Sequence, residues 1–521
     1  MDLRLSLAQS LQRLYFAGAY KGLLLSRVLE AARGEADVAG DPALRTADLM
    51  PQFGRFDTVY AHLAERMGLP LLRHSLDYAH LRRMEAQVVH RRLGAAEKLL
   101  SLLTNTPATF LVKLWRTLAR RGAAPTLLGL PGGRRCWVYK DNELLDQSLF
   151  PLLLRGARVG HLPAVRPPDC PASAEPLPDE AAVETAFREC LAEHWAAQSA
   201  PDFAARQACA DMLLTRTISS LRTLRASLPA LAGYCEALAQ PLRPGDTVLT
   251  NLLSGAVEFA FFSWLKHQGF RVASFEHGLT MGLARVMDWE ARYASVRAGD
   301  VGMYHSRAAM AAVAPHAPGQ EQVLAGLTQV ARRVPLRPLS RLLARRMLGL
   351  PGSGHVVMYV ADLDRNNAAH GPHVENDLQF AAKTRSALRA LSRAFPDSTV
   401  LAKLYPTQRY VDCCLFADTA AEMPNVRLVR DMDFRFIRAA ADLIVLSNAQ
   451  STLGWVAGAG CPAIFLEYPW APVSLPGLAL GDLERGLAAQ AGGTAILLDC
   501  ARLVERPEAG WAGRLLGQRK N

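Results

Sequence analysis

The chain has 521 residues, 50% of them hydrophobic and 21% charged, and a formal net charge of +11. At this length two domains are expected, because single hydrophobic cores stop growing at roughly 250–300 residues. The composition excludes a disordered or collagenous chain, and no apolar run approaches the roughly 18–20 residues of a membrane span. Nine scattered cysteines, of which only Cys413 and Cys414 are close, fit neither a zinc knuckle nor a CxxC pair, so a reduced cytosolic protein with no structural metal is expected.

The opening stretch "MDLRLSLAQSLQRLYFAG" is amphipathic, with Arg4 and Arg13 inside it, and lacks the apolar core and cleavage site of a signal peptide. Residues 1–125 have apolar positions at three- and four-residue spacing and are expected to be helical, packed on the first domain. Residues 1–130 carry 18 Lys and Arg against 11 Asp and Glu, and "ARRVPLRPLSRLLARRMLGL" (331–350) is a second basic stretch. Such surfaces suit an anionic lipid or a phosphorylated substrate. No nucleic-acid motif accompanies them, so nucleic acid is not an expected partner.

Residues 126–340 read as a Rossmann-like domain. "RRCWVYKDNELLDQSLFPLLLRGARVGHLP" gives strand, acidic loop, helix and strand, followed by a proline-rich loop over 161–180. "DTVLTNLLSGAVEFAFFSWLKHQGFRVASFEHG" compresses strand, helix and strand into a βαβ unit, which implies a parallel sheet. Residues 341–521 alternate in the same way, from "GHVVMYVADLD" through "STVLAKLYPTQ", "NVRLV", "ADLIVLSNAQST" and "CPAIFLEYPW" to "TAILLD". The expected fold class is therefore α/β, two Rossmann-like domains facing a cleft, with extra N-terminal helices. Ligands of such sheets bind at the carboxyl ends of the strands.

Four strand ends carry polar side chains suited to chemistry, three of them in the second half of the chain, where "YVADLDRNNAAHG" supplies Asp362, Asp364, Asn366, Asn367 and His370. "LAKLYPTQ" supplies Lys403 and Tyr405, and "LSNAQST" supplies Ser447, Gln450, Ser451 and Thr452 at a strand-to-helix turn. Hydroxyls and backbone N–H groups there form either an anion site needing no metal or a simple helix cap. In the first domain "FEHG" ends a strand with Glu276, His277 and Gly278. The imidazole is suited to acid–base work near neutral pH, and the glycine permits close approach of the backbone. Glu143 in the acidic loop and Glu258 in an otherwise apolar helix are further carboxylate candidates, whereas Asp246 lies at the wrong end of its strand. The chain has no GxxxxGK[ST], no GxGxxG and no GxSxG, which argues against a P-loop NTPase, a dinucleotide oxidoreductase and an α/β-hydrolase.

The order "FEHG", "KLYP" and "SNAQSTLGWVAGAGCPAIF" over about 246–470 resembles bacterial GT-B glycosyltransferases of capsule and lipopolysaccharide assembly, including the CMP-sugar-using Kdo and sialyl transferases and the CDP-glycerol transferases. The resemblance implies a metal-independent transferase without cofactor. It would move a sugar, first of all CMP-Kdo or another CMP-activated acidic sugar, to a surface polysaccharide or lipid-linked glycan at the inner face of the cytoplasmic membrane. It further implies that Tyr405, Ser451 and Thr452 hold the donor phosphate, that Ser447 and Gln450 shape that loop, and that Lys403 assists. A CDP-glycerol-type polyol-phosphate transferase and a non-catalytic partner in glycan export are the alternatives. Tyr405 stands where many members have histidine, and Glu276 where glutamine often stands; a phenol donates one hydrogen bond but carries no positive charge at neutral pH.

Overall fold

The computed structural model describes residues 127–166 and 229–517, with scattered positions between 168 and 226. Within those ranges 130, 140–148, 150, 252–255, 277, 280–281, 284–295, 297–298, 327–336, 362–376, 405–416, 431, 450–451 and 469–472 are not described. The expected N-terminal helices of 1–125 therefore lie outside the described residues.

The first sheet has six strands: β1 (Arg135–Val138), β2 (Arg158–His161), β3 (Thr247–Thr250), β4 (Arg271–Phe275), β5 (Val301–Tyr304) and β6 (Glu321–Leu324). All neighbours are parallel, in the order β2-β1-β3-β4-β5-β6. Helices α1 (Ala256–His267) and α2 (Arg307–Val313) follow β3 and β5. Side chains alternate across each strand, so one sequence feeds two cores. Trp137, Val248 and Val272 pack against Phe261, Phe262 and Leu265 of α1, while Cys136, Leu249 and Phe275 face the opposite layer. Asp246 accepts from Trp137 Nε1 at 2.7 Å and from Arg243 N at 3.0 Å, and pairs with Arg135 at 3.3 Å. It is a structural anchor at the amino end of β3, as its position in the sequence suggested.

A basic helix, α3 (Arg337–Met347), leads into the second sheet. Its strands are β7 (Val356–Val360), β8 (Thr399–Lys403), β9 (Val426–Val429), β10 (Leu443–Leu446), β11 (Ala463–Glu467), β12 (Gly477–Leu478) and β13 (Thr494–Leu498). Between them run α4 (Asp377–Ala394), α5 (Ala417–Ala421), α6 (Phe434–Ile437), α7 (Thr452–Ala457) and α8 (Asp482–Ala491), and α9 (Cys500–Leu503) follows β13. The order is β12-β13-β11-β10-β7-β8-β9. Five strands are parallel, but β13 runs antiparallel to both β11 and β12, so "TAILLD" is a reversed strand set between β11 and the edge strand β12. Two Rossmann-like α/β units in one chain agree with the α/β class of two Rossmann-like domains expected above.

Two segments join the units. Leu279 and Leu283, just past β4, lie in the second sheet's core beside Met358, Leu453 and Trp455, and Ser474 N donates to Leu283 O at 2.6 Å. The chain's last described helix, α10 (Trp511–Leu515), places Trp511, Leu515 and Leu516 against the first sheet, in one core with Val138, Leu249 and Met303. Sequence order alone puts residues 341–521 in one domain; packing returns this helix to the other.

Candidate functional site

Both sheets have a topological switch point, the place where connections leave adjacent strands in opposite directions and leave a crevice outside their carboxyl ends. In the second sheet it lies between β7 and β10, with β8 on the other side of β7. Ser447 follows β10, Lys403 ends β8, and Thr452 opens α7, so one residue expected to hold phosphate (Thr452), one expected to shape its loop (Ser447) and one expected to assist (Lys403) flank the end of β7. Ser447 is buried and its Oγ lies 2.9 Å from the hydroxyl of Tyr359 on β7, a bond across the switch point itself. Lys403 is 1% exposed and its Nζ donates to the carbonyl of Leu404. Tyr405, Gln450 and Ser451 lie outside the described residues.

The sequence reading missed the cationic cluster beside this turn. Asp433 caps α6 by accepting from Arg435 N at 2.9 Å, and its carboxylate also binds the Arg435 guanidinium through Nε at 2.9 Å and Nη2 at 2.6 Å. Burial pushes the Asp433 carboxyl upward, but Arg435 and the Lys403 charge outweigh it and hold it below its ordinary range. One turn into α7, Trp455 has the guanidinium carbons of Arg438 and Arg435 5.2 and 5.9 Å from its ring centroid. Among the described residues Lys403, Arg435 and Arg438 stand beside the one Asp433 carboxylate, while Asp362 and Asp364 after β7 and Asp431 before α6 lie outside the described residues. Its only sequence signal is the polar stretch "DMDFRFIR", which reads equally well as a solvated helix face.

In the first sheet the switch point lies between β1 and β3. Glu143 follows β1 but lies outside the described residues, as does His277. Glu258 sits in the first turn of α1, after β3; its side chain is likewise not described. Gly278 is buried. Glu276 is 1% exposed, and its Oε2 accepts from His305 N at 2.8 Å. The His305 ring returns the contact, with Nε2 2.9 Å from Glu276 O and Nδ1 3.2 Å from Gly326 O. A neutral imidazole has one N–H and can donate to only one of these carbonyls, whereas the imidazolium donates to both. The strand ends of β4, β5 and β6 are thereby tied together, and Glu276 has a positioning task there whatever else it does.

Asn251, the first residue after β3, was also missed. It is 1% exposed, and neither its Oδ1 nor its Nδ2 has a hydrogen-bond partner. A buried polar group left unpaired costs about 1–3 kcal/mol. The signal was present in "VLTN", a polar residue at the end of an apolar strand, the same pattern that drew attention to "FEHG".

No family model matches the sequence, and no curated protein does. Among solved structures, the chain is similar to a UDP-GlcNAc 2-epimerase from Neisseria meningitidis bound to UDP-GlcNAc, with a TM-score of 0.35 and 10% identity over 64% of this chain and 82% of that one. It is similar also to an α,α-trehalose-phosphate synthase (UDP-forming) from Burkholderia xenovorans in complex with glucose-6-phosphate, with a TM-score of 0.37 and 12% identity over 69% and 91% of the two chains. A third is an S. aureus MnaA–UDP structure, at TM-score 0.36 and 9% identity over 69% and 87%. At these scores the likeness assigns no residue of this chain a role.

Proposed function

We propose that this chain is a metal-independent glycosyltransferase that moves a sugar from a nucleotide donor, first of all a CMP-activated acidic sugar such as Kdo, to a surface polysaccharide or lipid-linked glycan. The observation that supports this reading is the switch point of the second sheet, with Lys403, Ser447 and Thr452 at strand ends on the same edge as the Arg435–Arg438–Trp455 cluster. An anionic leaving group needs hydroxyl donors and positive charge where its own charge develops, and Ser447, Thr452, Arg435 and Arg438 are the candidates for these on this edge. In the transfer, the bond between the anomeric carbon and the phosphate oxygen breaks, an acceptor hydroxyl forms the new bond, and its proton passes to a base. His277, Glu143 and Glu258 are the candidates for that base, Glu276 being held by His305. The acceptor's membrane would be met through the basic helix α3.

The test is thermal shift against CMP, CDP, UDP and GDP, each with and without magnesium. A ligand at a hundred times its Kd adds about 2.7 kcal/mol, a shift of a few degrees. Selective stabilisation by CMP without metal is the expected result, lost in the Ser451→Ala/Thr452→Val variant. Selectivity for CDP would move the reading to polyol-phosphate transfer, and no response to any nucleotide would move it to a non-catalytic partner, for which Tyr405 in place of histidine is the argument. Affinity unchanged in the double variant would return those hydroxyls to helix capping.

A further inference from the structure

We infer that Asn251 is a saccharide-binding residue at the switch point of the first sheet, reading a group that both donates and accepts hydrogen bonds. The inference rests on the transfer reading for the identity of the ligand as the sugar acceptor, but its physical basis is independent of it. Asn251 stands at the carboxyl end of β3, beside β1, in the crevice where an open α/β sheet takes its ligand. Tyr139, the corresponding residue after β1, is spoken for: its N–H donates to Leu249 O at 2.9 Å and its hydroxyl lies 3.1 Å from that of Tyr234. Asn251 is different, because both ends of its amide are buried and unpartnered.

The chemistry of the amide narrows the ligand. A phosphate or carboxylate would satisfy Nδ2 but turn a negative charge toward Oδ1, which needs a donor. A hydroxyl pair, or a hydroxyl beside an N-acetyl group, satisfies both ends. That is the pattern of a neutral sugar face, and it differs from the cationic edge of the second sheet, which suits an anion. The amide is 1% exposed, and a ligand seated on it supplies the bonds that the protein does not.

The experiment compares the full-length chain with Asn251→Leu, which keeps the branched shape and removes both polar ends, on an array of bacterial-surface saccharides, with the melting midpoint of the free proteins recorded alongside. Wild-type protein is expected to be retained on a subset of neutral saccharides, and Asn251→Leu to lose at least tenfold of that retention while melting no lower than wild type. Asn251→Asp, which keeps the acceptor and turns the donor into a second, charged acceptor, is expected to lose retention as well and serves if the leucine variant does not fold. A lower melting midpoint with unchanged retention, or no retention of any saccharide by wild type, overturns the inference. The nucleotide shifts are measured on the same samples. Saccharide retention without any nucleotide response would remove the transfer reading and leave Asn251 as a binding residue.

Discussion

At the scale of single residues, the charges at the carboxyl edge of the second sheet act as one unit. The fork from Arg435 to Asp433 is bidentate, both side chains are about a quarter exposed, and Lys403 adds its field from the end of β8. Such a pair contributes roughly 1–2 kcal/mol when only partly shielded. Because the Asp433 carboxyl is held below its ordinary range, its contribution is complete above the unfolded carboxylate's pKa and is lost as pH falls through the depressed folded value. Asp433→Asn is therefore expected to lower the melting midpoint at neutral pH, with the gap to wild type closing in acid. A gap that stays constant from neutral pH into strong acid would show that the carboxylate's charge contributes nothing. The same substitution removes the partner of two cations, so a nucleotide phosphate should bind no more weakly to the variant than to wild type.

At the scale of elements, α3 shows where a sequence pattern and its physical meaning part. The segment 331–350 contains six arginines and no acidic residue, and in sequence it reads as a solvated basic surface. In the structure Arg345 is 1% exposed, bonded to the carbonyls of Ala440, Gly352 and Gly354 and to Asp442 at 2.6 Å. Arg341 shares that carboxylate, and Arg337 bonds to the carbonyls of Gly460 and Ala441. These arginines hold the helix down, while Leu339 and Leu342 stand 45% and 56% exposed with Arg346 exposed beside them. Strands were legible because short β-branched and apolar runs between turn residues have few other uses, as in "VVMYV" and "LIVL". The reversal of β13 was not, since alternation records burial but not strand direction. Lys403, Ser447 and Thr452 were legible as polar ends of apolar strands. Arg435, Arg438 and Trp455 were not, because what brings them together is a crossover from α6 to α7 that no local spacing encodes. The leucine and arginine face of α3 suits an anionic lipid surface, where apolar side chains enter the interface and cations meet headgroups. Leu339→Ser/Leu342→Ser and Arg346→Glu are each expected to reduce co-flotation with phosphatidylglycerol vesicles several-fold, with little flotation on phosphatidylcholine alone. Flotation lost with the arginine but not with the leucines would indicate simple adsorption to polyanions and end the lipid reading of this helix.

At the scale of the whole molecule, the two units are tied at points far apart in sequence, and the ties predict how stability is shared. Leu279 and Leu283 carry the segment after the β4 strand end into the second core, so the Glu276 edge and the second sheet are mechanically continuous. In the other direction the chain passes from α9 back to the first unit, where Glu508 N donates to Leu324 O at 3.0 Å and Arg307 pairs with Glu505 at 3.1 Å. Helix α10 then buries Leu515 completely and leaves Trp511 7% exposed, against Val138, Leu249 and Met303. Truncating a buried leucine costs about 2–5 kcal/mol, from lost transfer energy and the cavity left behind. That loss belongs to the first sheet, although the residue lies more than 170 positions beyond the end of β6. Leu515→Ala is expected to speed amide exchange in β1, β3 and β5 while β7, β8 and β10 keep their protection, read strand by strand by mass spectrometry. Loss of protection confined to the second sheet would mean that α10 is energetically part of the domain it follows in sequence. Equal loss in both would mean that the ties through Leu279, Leu283 and Glu508 make the two units one cooperative body, and that a ligand bound at either switch point stabilises the other.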